Sequence, residues 1–142
     1  MIYTEKTKRA LKLCYIAHAG QVDKSGLPYV FHPFHLAEQM DDEDSVIVAL
    51  LHDVVEDTEY TLNDLKGMNF GDEVIGALKL LTHDPNVPYM DYIKEVAKNP
   101  IATKVKLADL EHNSDLTRLN HSPTEEDLQR VEKYQRAMEA LK

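Results

Sequence analysis

Apolar side chains recur three and four positions apart along almost the whole chain, and runs that alternate residue by residue are nearly absent. That period predicts helices rather than strands, and so an all-α domain, a helical bundle of about seven helices. The first covers residues 4–19, with Leu11, Tyr15 and Ala19 as its buried stripe and Gly20 as its stop. A loop rich in turn residues, GQVDKSGLPYVF, leads to His32-Pro33, where Pro33 suits the first turn of a short helix ending at Met40. The acidic run Asp41-Asp42-Glu43-Asp44 fits the N-terminal end of the next helix, which carries SVIVALLHDVVED. Thr61 and Asp64 have the spacing of a capped start. A helix over 72–83 follows, with Val74, Leu78 and Leu81 on one face, broken by Asp84-Pro85. Helices over 88–98 and 100–119 are divided by Asn99-Pro100, and Ser122-Pro123 opens the last one.

At 142 residues and 43% hydrophobic composition the chain suffices for one core, so residues 1–142 are expected to form a single domain. A second domain is not expected beside it. The longest apolar run is only Val46 to Leu51, which excludes a membrane span. Charged residues interrupt the first twenty positions, which lack the continuous apolar stretch of a secretory signal, so none is expected. The lone Cys14 lies among apolar neighbours and reads as a core residue; with no disulfide framework, the expected location is cytoplasmic. Sixteen basic against twenty-five acidic residues leave a net charge of −9, the wrong sign for a nucleic-acid polymer. An anionic small substrate would therefore need a bound metal or a local basic cluster.

Two segments carry candidate chemistry. His52-Asp53-Val54-Val55-Glu56-Asp57 places His52 four residues before Glu56 and Asp53 four before Asp57, directly after an apolar turn. Position 56 is Glu where a zincin needs its second His, so that metalloprotease motif is absent. A plain alternative is a hydrogen-bonded His52 with solvated carboxylates. The second segment, Val105-Lys106-Leu107-Ala108-Asp109-Leu110-Glu111-His112-Asn113, sets Asp109 among apolar residues, where a carboxylate is costly unless paired or bound to a cation. His32, at the loop-to-helix junction, completes a set of two imidazoles and two carboxylates: His32, His52, Asp53 and Asp109. Such nitrogen and oxygen donors suit a divalent first-row ion with positions left for water and substrate. His18, His35, His83, His112 and His121 lack a complete partner set, and His112 is better placed behind a metal ligand or on the helix face than as a ligand. Tyr89 and Tyr92 read as packing residues.

These motifs resemble the HD-domain phosphohydrolases, and within them the hydrolase domain of RelA/SpoT homologues, especially the stand-alone small alarmone hydrolases. The resemblance is carried by AHAGQVDKSGLPYVFHP at 17–33, ALLHDVVEDT at 49–58, YMDYIKEVAKNP at 89–100 and VKLADLEHNSDLTRL at 105–119, in the family's order. It implies an all-α fold and a metal, usually Mn²⁺, on His32, His52, Asp53 and Asp109. It further implies a catalytic acidic pair, Glu56 and Asp57, that orients water and relays protons. The implied reaction is hydrolysis of the 3′-pyrophosphate of (p)ppGpp to GDP or GTP plus pyrophosphate. Lys24, Asn113, Arg130 and Tyr134 match substrate contacts of the family. Asp23 stands where the long enzymes commonly have Arg, Leu110-Glu111 where they have Arg-Leu, and Leu116 where a small polar residue often meets the base. These departures bear on the nucleotide rather than on the metal. They keep open an HD phosphohydrolase for an adenine alarmone or an NADPH-like cofactor; a nucleotide-binding module without turnover is the third reading.

Overall fold

The Ser45–Leu51 stretch is apolar on every side after its first residue, and a helix of that kind has to be enclosed on all sides. In the computed structural model, which describes residues 1–142, all seven of these residues are buried. They belong to α3 (Glu43–Leu51), around which α1 (Glu5–Ala17), α2 (Phe31–Glu38), α6 (Asp72–Leu81) and α8 (Pro100–Asn113) pack. The short α4 (Val54–Asp57) and α5 (Leu62–Lys66) link α3 to α6. Helices α7 (Tyr89–Val96) and α9 (Glu125–Leu141) close over α8, and a 3₁₀ turn at Leu116–Arg118 precedes α9. The architecture is all-α, with one isolated β-bridge between Val22 and Pro28 in the α1–α2 loop. None of the helices is long and apolar enough to cross a membrane.

Local chemistry sets the boundaries as the sequence suggested at several places. Asp42 caps α3 by accepting from the Ser45 N–H at 2.8 Å, with Glu43 and Asp44 in the first turn. Thr61 and Asp64 form the expected capping box, and Asn99 caps α8 with Pro100 in its first turn. Val74, Leu78 and Leu81 all face the core from α6.

Other expectations need correction. Nine α-helices form where about seven were expected: the segment read as one helix through residue 57 divides into α3 and α4, and the short helix expected after Thr61 is α5. The first helix ends at Ala17, and its buried side is Thr7, Ala10 and Cys14, continued by His18; Tyr15 is 68% exposed, Leu11 is half-buried and Ala19 is exposed. The larger residues were assigned to the core, whereas small side chains let α1 approach α3 closely. The helix expected to run through 52–57 breaks at His52-Asp53, where His52 Nδ1 donates to the Ala49 carbonyl at 2.7 Å and Asp53 precedes α4 at φ −102°, ψ 0° without a side-chain capping bond. The helix expected to reach 119 ends at Asn113, because Asp115 turns its side chain onto the Thr117 N–H at 3.0 Å and starts the 3₁₀ turn instead.

Candidate metal centre and substrate cleft

Packing of α2 and α3 against α8 brings three chain segments to one point. His32, second residue of α2, is 3% exposed; His52, at the break after α3, is 4% exposed; Asp109, on the inner face of α8, is 5% exposed. His32 Nε2 lies 2.9 Å from Asp109 Oδ1 and 3.9 Å from Asp53 Oδ2. His52 Nε2 lies 3.0 Å from Asp53 Oδ2 and 3.6 Å from Asp109 Oδ1. Donor atoms of His32, His52 and Asp109 fall within 4.8 Å of one another, a possible His/His/Asp metal site, with Asp53 beside it. The break at His52-Asp53 matters here, since consecutive residues of an unbroken helix point in different directions, whereas these two turn toward the same point.

Each donor is held by a further group. His52 Nδ1 is bound to the Ala49 carbonyl, which directs Nε2 inward. Asp109 Oδ2 accepts from Lys106 Nζ at 2.9 Å and Oδ1 accepts from Asn113 Nδ2 at 2.9 Å. The Tyr29 hydroxyl donates to Asp53 Oδ2. Burial together with Asp53 raises the Tyr29 pKa, so the phenol stays a donor. Burial favours a neutral Asp109, but Lys106, His32 and His52 outweigh it and hold the carboxyl well below its usual range. For His52 burial opposes the charged ring, yet Asp53 and Asp109 raise its pKa well above the ordinary imidazole value. The cluster thus draws positive charge into a buried place.

Whether these residues fit a metal is answered by the donors themselves. His52 Nε2 is buried and has no hydrogen-bond partner, because neither neighbouring carboxylate meets it with suitable geometry. An unsatisfied buried nitrogen aimed at two carboxylates and a second imidazole is what a divalent ion with N/O ligands would complete. The set fits.

Two clefts flank this point and share the walls Asn113 and Tyr134. The first, about 340 Å³, reaches His32 and is lined by Lys24, Arg118 and Arg130 among others. All four residues matched to substrate contacts, Lys24, Asn113, Arg130 and Tyr134, line it. Burial and the charge of Arg130 lower the Lys24 pKa. This local basic cluster opposes the overall charge of −9. The second cleft, about 200 Å³, reaches His52, Asp53 and Asp109 and is lined by Glu56, Lys106 and Lys133. Glu56 accepts the His83 backbone N–H there, and burial raises its pKa. Asp57 lines neither of the two clefts; burial and Asp53 raise its carboxyl.

Sequence reasoning missed Tyr29, Lys106, Arg118 and Lys133 as site residues. The first three lie inside the quoted motifs, so motif membership was a usable signal for them, while Lys133 has only its place one residue before Tyr134. Tyr89 and Tyr92 do pack, with Tyr92 donating to the Leu81 carbonyl at 2.9 Å, but both also line the second cleft. Asp23 braces its loop: Oδ1 accepts from Ser25 N at 2.8 Å and Leu27 N at 3.0 Å, and Oδ2 lies 3.7 Å from Arg118. Leu116 lines the first cleft, whereas Leu110 is core.

Fold and site together define a helical domain with a buried His/His/Asp centre of metal-binding type between two cation-lined clefts. Residues 10–140 match the family model described as HD domain, and the chain belongs to the HD-domain family. It is 35% identical over 124 residues to the mouse guanosine-3′,5′-bis(diphosphate) 3′-pyrophosphohydrolase MESH1, covering 79% of this chain and 68% of that protein. It is 37% identical over 119 residues to the GTP pyrophosphokinase of Streptomyces coelicolor, and here 75% of the chain spans only 14% of the relative. For the guanosine-3′,5′-bis(diphosphate) 3′-pyrophosphohydrolase of Aquifex aeolicus the identity is 32% over 120 residues, 75% of the chain and 17% of that protein. A solved structure described as a metazoan orthologue of SpoT that hydrolyses ppGpp superposes with a TM-score of 0.77 at 28% identity, covering 99% of this chain and 85% of that one.

Proposed function

We propose that this domain hydrolyses the 3′-pyrophosphate of (p)ppGpp, releasing GDP or GTP and pyrophosphate in the cytoplasm, with a divalent ion, Mn²⁺, held by His32, His52, Asp53 and Asp109. The observation that carries the reading is the convergence of those four side chains beside a cleft containing Lys24, Arg118 and Arg130. Similarity to relatives named as 3′-pyrophosphohydrolases supports the same reaction. When bound, the ion supplies Lewis acidity and offsets phosphate charge.

The chain's own residues account for the rest. Lys24 and Arg130 bind phosphate oxygens, and Tyr134 and Asn113, shared by both clefts, hold the nucleotide across the centre. The oxygen of water bonds to the phosphorus carried by the ribose 3′-oxygen, and the bond between that phosphorus and the 3′-oxygen breaks. The 3′-oxygen leaves with the electron pair and takes up a proton, giving a free 3′-hydroxyl. Glu56, in the wall of the second cleft with one oxygen tied to the His83 N–H, orients the water and takes its proton. Asp57, one residue on, relays protons toward solvent. Burial raises the pKa of both carboxyls, toward the range in which proton exchange near neutrality is efficient.

One observation favours a different nucleotide: Leu116 puts an apolar side chain in the first cleft, and Asp23 offsets the charge of Arg118. The experiment that separates the readings is turnover of ppGpp, pppGpp, the adenine analogue and NADPH with added Mn²⁺, beside Asp53→Ala. Pyrophosphate from ppGpp with wild type and none with the variant is the expected result. Turnover of another member alone moves the specificity to Asp23 and Leu116. No turnover of any member with Mn²⁺ bound refutes the hydrolase reading in favour of nucleotide binding.

A further inference from the structure

His112 is neither one of the four candidate ligands nor in the wall of either cleft, yet it touches a member of the metal centre. It lies three residues after Asp109 on α8, on the same side of the helix. Its Nδ1 is 2.7 Å from His32 Nδ1. The ring planes are within 5° of each other and the centroids are 5.0 Å apart, which with so short a nitrogen contact sets the rings edge to edge in one plane. This is the arrangement of an in-plane N–H···N hydrogen bond, and only one of the two nitrogens can carry its proton. Neither Nδ1 has a second hydrogen-bond partner.

Chemistry at the opposite nitrogen decides the direction. An imidazole ligates a cation through Nε2 only with a free lone pair there, so the proton of a neutral, ligating His32 must sit on Nδ1. His112 Nδ1 is then the acceptor, with its own proton on Nε2. We propose that His112 is a positioning residue for the metal centre: it accepts the Nδ1 proton of His32 and holds that ring in the tautomer and orientation that ligate a divalent cation. The inference rests on His32 being a ligand.

His112 is itself held in place. Arg118 Nη1 donates to the His112 backbone carbonyl at 2.8 Å, and the His35 ring stacks on the imidazole at a centroid distance of 4.1 Å and an angle of 28°. His52 uses a backbone carbonyl for the same purpose, so the two ligating histidines are oriented by different acceptors, both uncharged. An uncharged acceptor adds no negative charge to a centre that already contains Asp53 and Asp109.

The test compares Mn²⁺ binding by titration calorimetry to the metal-stripped wild type, His112→Phe and His112→Asn. Phenylalanine keeps a ring against His35 but has no acceptor; asparagine gives up the ring but carries an oxygen where Nδ1 stood. We expect His112→Phe to bind Mn²⁺ about 10–100-fold more weakly, and His112→Asn to stay close to wild type. A packing role predicts the reverse order. Melting of the stripped proteins reports folding, and His112→Leu, smaller and also without an acceptor, repeats the loss should the phenyl ring prevent folding. Wild-type affinity in the Phe and Leu variants, or equal loss in the Asn variant, overturns the role of His112. Absence of Mn²⁺ binding by wild type overturns the metal centre itself, and this inference with it.

Discussion

Asp109 carries two duties that a pair of substitutions can separate. One oxygen, Oδ1, faces the imidazoles, while Oδ2 is 2.9 Å from Lys106 Nζ, with the side chains of Lys106 and Asp109 only 15% and 8% exposed. Burial opposes the charge on Lys106, yet Asp109 outweighs it and raises the lysine pKa, so the ammonium persists. Asp109→Asn removes its counter-charge and brings an amide NH₂ into a place surrounded by donors. Losing one member of a buried pair costs about 3–5 kcal/mol. For a chain of this size that corresponds to a fall of roughly 10–20 °C in Tm. Lys106→Met combined with Asp109→Asn removes the stranded charge and restores most of the loss without restoring the ligand. Calorimetric melts in excess chelator and Mn²⁺ titrations of the three proteins check both parts: the double variant melts well above Asp109→Asn but binds Mn²⁺ no better. The reasoning fails if Asp109→Asn in chelator melts within a couple of degrees of wild type, or if adding Lys106→Met lowers Tm further.

Tyr29→Phe leaves Asp53 Oδ2 without its phenolic donor and is expected to weaken Mn²⁺ binding about tenfold while the fold melts normally, measured by the same titration. Burial pushes the Cys14 thiol up to about 12, so the native protein at pH 8 should resist a thiol reagent and react with one equivalent after unfolding; rapid native labelling would contradict this. Asp42→Ala removes the cap of α3 and should cost about 0.5–2 kcal/mol, read as a Tm shift. Burial works against the Asp42 charge, but the Ser45 and Lys104 contacts prevail and lower its pKa. The capping contribution is therefore complete above the unfolded value of about 4 and fades as pH falls through the lower folded value, so wild type and variant should converge in acid.

Most of the helix pattern was readable because helices leave a period of three and four and announce their ends with local side chains. Thr61 caps where its spacing with Asp64 suggested, and Asp42 and Asn99 cap at places read as helix starts, since a cap involves only residues a turn apart. The face of α1 was misread because Tyr15 and Leu11 are larger than Ala10 and Cys14, and size alone does not say which side another helix covers. The break at His52-Asp53 was also invisible: HDVVED continues a helical pattern, and only a side chain taking the Ala49 carbonyl ends α3 there. Among the proposed substrate contacts, Lys24, Asn113, Arg130 and Tyr134 came from resemblance to the family and lie along one cleft, while Arg118 and Lys106 were overlooked within the quoted motifs.

From its sequence alone this protein could be read as all-α, acidic and furnished with imidazole and carboxylate donors in the motifs of the HD family, because residue types and local periods are written along the chain. That His32, His52, Asp53 and Asp109 face one point, that Lys106 and Tyr29 hold two of those carboxylates, and that His112 stands behind His32 were decided by the packing of α2, α3 and α8. Those contacts join residues 21 to 80 positions apart, with His52–Asp53 and Lys106–Asp109 as the local exceptions, and distances across a folded core have no counterpart in a one-dimensional pattern.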